Sequence, residues 1–207
     1  MSASRAMTEP PVISDVKSRQ AIFLIWAIVA TVLALVSTGL AFFCFLQPRV
    51  GRHEPAGWSR WETSAGGNGH WYKAVASSNG MTWTEADQLA RAQGGYLATI
   101  TSEAENAFVF NLVNFPAFFK PGRGPALGGF QLDRAPEPDG GWCWVSGEPW
   151  NYSNWHSREP SNGRHVSGGT EDRLQFYSGI PQTPGATWND VSRNDTDLGG
   201  YVIERND

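Results

Sequence analysis

The sequence predicts an α+β domain of two helices and short antiparallel strands, standing behind an N-terminal transmembrane helix. Three observations carry this. Positions 21–46 form a run of 26 residues without a single charge. Two stretches with helical periodicity and helix-start signals follow, near 82–94 and 102–113. Beyond them the periodicity vanishes, and short apolar runs alternate with Gly, Pro, Asn and Asp, as in strands joined by long loops.

The run AIFLIWAIVATVLALVSTGLAFFCFL exceeds the ~20 residues that cross a hydrocarbon core. It has no polar face, which a surface helix of a soluble protein would need. A cleaved leader has an apolar region of only ~7–15 residues and a small-residue cleavage site, whereas this run ends in bulky Phe and Leu. Residues 1–20 are polar, with a Pro-Pro pair, and are expected to form a disordered tail. Residues 47–57 read as a stalk, and 58–207 as one globular domain of ordinary size. Arg5, Lys17 and Arg19 precede the span while Arg49, Arg52 and Arg60 follow it, so charge alone leaves the orientation open.

Composition narrows the function classes. Lys and Arg number 16 against 20 Asp and Glu, a formal charge of −4, which excludes the basic footprint of a nucleic-acid binder. The two cysteines, Cys44 in the apolar run and Cys143 far downstream, make no disulfide framework, so the core must hold by packing. Ten tryptophans supply anchors for it. Trp58, Trp61, Trp71, Trp83, Trp142, Trp144, Trp150, Trp155 and Trp188 are read as core in the main, and Cys143, between two tryptophans, as a small core residue. His70, His156 and His165 are scattered, without metal-ligand spacing.

Residues 69–76 suit a strand. Thr82 followed by Glu85 is a capping box, Gly94 a helix stop, and Trp83, Ala86, Leu89 and Ala90 share one helical face. Ser102 with Glu105 repeats the start signal; the second helix should reach about Val113 and bury Ala107, Phe108 and Leu112. Residues 96–100 read as a short link between the helices. Further strands are expected at 126–130, 142–145, 174–177, 187–191 and 201–204.

Chemistry concentrates in NWHSREPSN (154–162), TED (170–172) and TWND (187–190). These gather Glu159, Ser161, Asn162, Glu171, Asp172, Asn189 and Asp190, a set of hard oxygen donors. Ca2+ takes ~6–8 oxygens from carboxylates, amide carbonyls and outside hydroxyls, so this set suits calcium better than zinc. A cis Glu159–Pro160 bond would turn Glu159 and Ser161 to the same side. No nucleophile–base pair, phosphate loop or histidine metal motif accompanies the carboxylates, so no enzyme is expected. The acidic turn around Asp133, Glu137 and Asp139 reads as a solvated turn.

Taken in order, TWTEADQLARAQGGYLATI, ALGG, YSNW…EP, WND and the final YVIE resemble the C-type lectin family over nearly all of 68–206. The segment GGFQ…PEPDGGWCWVSGEPWNYSNW most resembles bacterial members, which often lack disulfides. The resemblance implies an extracytoplasmic C-type-lectin-like domain with a calcium ion that bridges protein and sugar. The residues matching its ligand positions are Glu159, Ser161, Glu171, Asn189 and Asp190. The same side chains would hydrogen-bond two vicinal sugar hydroxyls, and a Glu-Pro pair at 159–160 is associated with mannose-type glycans. The chain departs from the pattern at Ser161, where asparagine is usual, and in a lengthened loop that brings Arg164 and His165 near the site. Ala90 with Ile203, and Arg173 with Arg193, stand where many members have bonded cysteines. The alternative reading is a lectin-like module that binds a protein partner, or serves a structural role, without calcium.

Overall fold

The computed structural model describes residues 56–163 and 170–206. The expected tail, the span at 21–46, nearly all of the stalk, and Arg164 and His165 lie outside them. Among the described residues no helix is long and apolar enough to cross a membrane.

Eight strands form one mixed sheet: β1 (Ser59–Arg60), β2 (Trp71–Ala76), β3 (Tyr96–Leu97), β4 (Pro125–Gln131), β5 (Trp142–Trp144), β6 (Arg173–Gly179), β7 (Thr183–Val191) and β8 (Gly200–Arg205). Their order is β1-β2-β8-β4-β6-β7, with β3 on β8 and β5 on β4. Only β4 and β8 run parallel; every other pair is antiparallel. The chain therefore closes on itself, its last strand lying between the first long strand and the middle of the sheet. Residues 96–97, expected as a link, pair with Ile203 and Glu204 because β4 covers the far edge of β8 only at Gly200 and Tyr201, leaving the rest of that edge open.

Helix α1 (Trp83–Ala92) starts as expected. Thr82 Oγ1 accepts from the Glu85 amide at 3.1 Å, and Glu85 Oε2 accepts from the Thr82 amide at 2.8 Å. Gly94, at φ +77°, ends it in the left-handed region that glycine enters without steric cost. Trp83, Ala86 and Ala90 are buried, but Leu89 is 46% exposed. The inward stripe is narrower than the apolar pattern implied, and its two alanines let the helix lie close to β3 and β8.

Helix α2 (Glu103–Val113) corrects the expected face. It buries Glu105, Asn106, Val109 and Val113, while Ala107 is exposed and Phe108 and Leu112 are half-buried. The rotation has a polar cause. Ser102 caps the Glu105 amide at 3.2 Å, but the Glu105 carboxylate turns inward to Thr101 N (2.7 Å), Thr101 Oγ1 (2.8 Å) and Tyr72 Oη (2.6 Å). Asn106 accepts from Trp188 Nε1 at 2.8 Å and donates to the Ala186 carbonyl at 2.9 Å. A pattern that sends polar residues outward misreads a face whose polar groups find internal partners.

The tryptophans divide as expected: Trp58, Trp71, Trp83, Trp142, Trp144 and Trp188 are buried, while Trp61, Trp150 and Trp155 pack against the core from partly exposed positions. Cys143 is a correction. It is half-buried, because alternation along β5 turns Trp142 and Trp144 inward and the residue between them outward. Ala90 and Ile203 are both fully buried in one apolar cluster, so plain packing stands where a bonded pair was implied for relatives. At the second such place Arg193 Nε donates to Asp172 Oδ2 at 2.8 Å and Nη2 to the same oxygen, while Arg173 Nη1 lies 3.3 Å from Asp172 Oδ1.

His70 is less ordinary than its sequence context suggests. Its Nδ1 lies 2.6 Å from Oε1 of Glu204, a fully buried carboxylate that also accepts from Thr99 N at 2.8 Å. Tyr72 Oη lies between Glu204 and Glu105, at 3.2 and 2.6 Å, tying β2, β8 and α2 together.

Candidate ligand-binding site

The strand that ends in Asn189 and Asp190 is anchored by its neighbour. Trp188 is fully buried, ringed by Trp144, Trp150, Tyr152 and Trp155, and held through its indole N–H to Asn106. Residues 154–156 run alongside it: Trp188 N donates to Asn154 O at 2.7 Å and His156 N to Trp188 O at 2.8 Å. This short parallel bridge brings the loop 157–163 over Asn189 and Asp190, and it follows from two aromatic anchors in different segments of the sequence. The Glu159–Pro160 bond is cis.

Glu159, Ser161, Glu171 and Asn189 line one open pocket of about 300 Å³, together with Arg123, Tyr177 and Ile180. Asp190 sits behind it, fully buried. Both its carboxylate oxygens accept from the Ser161 amide at 3.0 Å, and Oδ2 also accepts from the Asn162 amide at 2.6 Å. Asp190 thus clasps the backbone of the loop that carries the other side chains. Glu171 Oε2 accepts from Gly163 N at 2.7 Å and from Ser161 Oγ at 3.4 Å, and its own amide donates to Asn162 Oδ1 at 2.9 Å. Asn189 Nδ2 donates to the Asp190 carbonyl at 2.6 Å.

Electrostatically the site is crowded with negative charge. Burial, with the charges of the neighbouring Asp190 and Glu171 adding to it, pushes the Glu159 carboxyl up to about 7. The Glu171 carboxyl is also raised, first by burial and then by Asp190, with Arg123 and the Gly163 amide pulling the other way. Glu159 Oε2 is buried with no protein partner. The described residues contain no group of three or more His, Cys, Asp or Glu side chains placed to hold a metal ion. Asp172, next in sequence to Glu171, is bound to Arg193, which also reaches Asp133 at 3.3 Å. A guanidinium therefore stands beside the acidic turn read as solvated.

The sequence reading missed Arg123 and Tyr177. Arg123 enters from the tight turn Lys120–Arg123 and Tyr177 from β6, segments that carry no signal of their own. His156 stacks flat on Tyr177, ring centroids 3.6 Å apart.

Among the described residues, two helices beside a mixed sheet whose last strand returns next to the first long one, with a loop carried over Asn189 and Asp190, define a C-type-lectin-like domain. Comparison with known proteins agrees. Residues 79–196, more than half the chain, match the family described as the Lectin C-type domain. A perlucin-like protein of Mytilus galloprovincialis is 30% identical over 149 residues, covering 72% of this chain and 80% of that protein. Asialoglycoprotein receptor 2 of Rattus norvegicus is 30% identical over 129 residues, 60% of this chain but only 35% of the receptor. Among solved structures, the cow C-type carbohydrate-recognition domain of CD23, crystallised with a GlcNAc2Man3 oligosaccharide, superposes with a TM-score of 0.54 at 23% identity, covering 73% of this chain and 94% of that one. The chain belongs to the C-type lectin domain family, whose members are binding proteins rather than enzymes.

Proposed function

We propose that this protein binds carbohydrate in a calcium-dependent manner through the pocket formed by Glu159, Ser161, Glu171 and Asn189. One observation carries the reading: Glu159 Oε2 is a buried carboxylate oxygen without a protein partner, in a pocket walled by oxygen donors. Burying a carboxylate oxygen unpaired is costly, and a cation removes the cost while relieving the repulsion among Glu159, Glu171 and Asp190. Bound Ca2+ would supply a hard cation with open positions for vicinal sugar hydroxyls. Glu159, Glu171 and the Asn189 amide would hold the ion, and Ser161 would contribute a hydroxyl. These carboxylates would also accept from the sugar hydroxyls, in charge-assisted bonds that are the stronger kind. Asp190 stands behind the pocket and accepts from the Ser161 and Asn162 amides, so its part in this reading is to hold the loop. The Glu-Pro pair at 159–160 supports a mannose-type preference.

The test is a thermal melt of the full-length chain in detergent, with calcium and with chelator, followed by a glycan array under both conditions. A ligand at 100 times its Kd stabilises by ~2.7 kcal/mol, so saturating calcium should raise the midpoint by several degrees. Glu159→Gln should abolish the shift. No shift at millimolar calcium overturns the reading.

The Asp190 clasp favours a second reading, in which the loop is already satisfied by protein groups and the module binds a protein partner without calcium. Ligand retention undiminished in chelator would select it.

Membrane attachment through residues 21–46 is part of the proposal, with the lectin domain extracytoplasmic. The uncharged 26-residue run supports it. Protease protection of sealed vesicles tests the orientation: digestion of the lectin domain only from the extracytoplasmic side is the expected result.

A further inference from the structure

The pocket that holds the carboxylates is also lined by a cation. Arg123 stands there on a backbone fixed by reciprocal bonds between Lys120 and Arg123, at 2.7 and 2.9 Å. Its guanidinium is held on two edges: Nε donates to Asp195 Oδ2 at 2.6 Å and Nη1 to the Gly122 carbonyl at 3.0 Å. Asp195 is itself fixed, accepting from Asp197 N at 2.9 Å through its other oxygen. Nη2 has no hydrogen-bond partner among the described residues, and the side chain is 31% exposed where it lines the pocket. Beside it Tyr177, backed by the His156 ring, and Ile180, 85% exposed, give the same pocket an apolar wall.

A guanidinium immobilised by Asp195 that lines a pocket with Nη2 unpaired is pre-organised for an anionic oxygen, because little entropy remains to be lost on binding. Glu159 and Glu171 repel an anion, whereas Arg123 attracts one. A ligand that satisfies both charges carries neutral hydroxyls toward the carboxylates and its negative group toward Arg123. The apolar face of a sugar ring suits the Tyr177 wall of the same pocket. We infer that the pocket selects a saccharide bearing an anionic substituent, a carboxylate or a sulfate, with Arg123 as the specificity-determining residue. The inference rests on the carbohydrate-binding reading above.

The experiment measures binding by the full-length chain, in detergent with calcium, to glucose, glucuronic acid, glucose 6-sulfate and N-acetylneuraminic acid displayed on one array. The acidic saccharides should be retained at least about tenfold better than glucose, the size of one charge-assisted contact. Whether the uronic and sialic acids or the sulfate lead tells which anion is meant. In Arg123→Gln the acidic preference should vanish, acidic and neutral saccharides being retained about equally; Arg123→Lys should keep part of it. Raising ionic strength should weaken acidic but not neutral ligands in the unmutated chain, a readout independent of any variant. Equal retention of acidic and neutral saccharides, or an acidic preference that survives Arg123→Gln, overturns the inference and leaves calcium-dependent binding standing. Loss of every ligand together with the calcium shift overturns both.

Discussion

Replacing Asp190 by alanine separates two roles that a sequence motif cannot tell apart. If Asp190 were only a metal ligand, its removal in chelator would be neutral or stabilising, since one of three crowded negative charges would go. The geometry predicts the opposite. Asp190 is fully buried and accepts from the Ser161 and Asn162 amides, so the truncation leaves two N–H donors without their acceptor. Each unsatisfied buried donor costs ~1–3 kcal/mol, and water entering beside the open pocket recovers part of it, for a net loss of about 3 kcal/mol. For a domain of about 150–250 residues, 1 kcal/mol moves Tm by ~2–4 °C, so the midpoint should fall by about 6–12 °C. Differential scanning calorimetry in chelator, where no metal contributes, measures it. Asp190→Asn keeps one acceptor oxygen and should fall by roughly half as much. An unchanged or raised midpoint for Asp190→Ala in chelator would refute the clasp.

Stability should decline as pH rises through neutrality. The His70 pKa is raised, first by its hydrogen bond to Glu204, and the buried Glu204 carboxyl is raised, first by desolvation. For each group the folded state holds its proton more tightly than the unfolded chain, so the stability it contributes is complete below the unfolded pKa and lost as pH climbs through the folded one. His70→Gln should remove the part of the pH dependence above about 6.5, which urea unfolding at several pH values would show. Thr82→Ala should cost ~1 kcal/mol by removing the capping box of α1, with ligand binding unchanged. Trp188→Ala should cost ~3–5 kcal/mol or prevent folding, since it empties the centre of the aromatic cluster and unpairs Asn106; soluble yield and near-ultraviolet circular dichroism report it.

What sequence alone determined were properties fixed by neighbours along the chain. Both helices start at Thr82 and Ser102 because a capping side chain reaches an amide three residues on, and Gly94 stops the first because φ +77° favours glycine. Most strands lie within a few residues of their apolar runs, and the family is legible because its motifs are local words in a fixed order. Tertiary structure alone decided what depends on partners distant in sequence. Glu105 and Asn106 face inward because Tyr72 and Trp188 await them, and β3 exists because β8 returns beside it. Asp190 reads from the WND triplet as a ligand, yet the fold delivers the Ser161 and Asn162 amides to its carboxylate and sets it behind the pocket. Arg123 enters that pocket from a turn more than thirty residues upstream of Glu159. A hydrogen bond or an ion pair depends on distance in space, and only the folded sheet sets those distances.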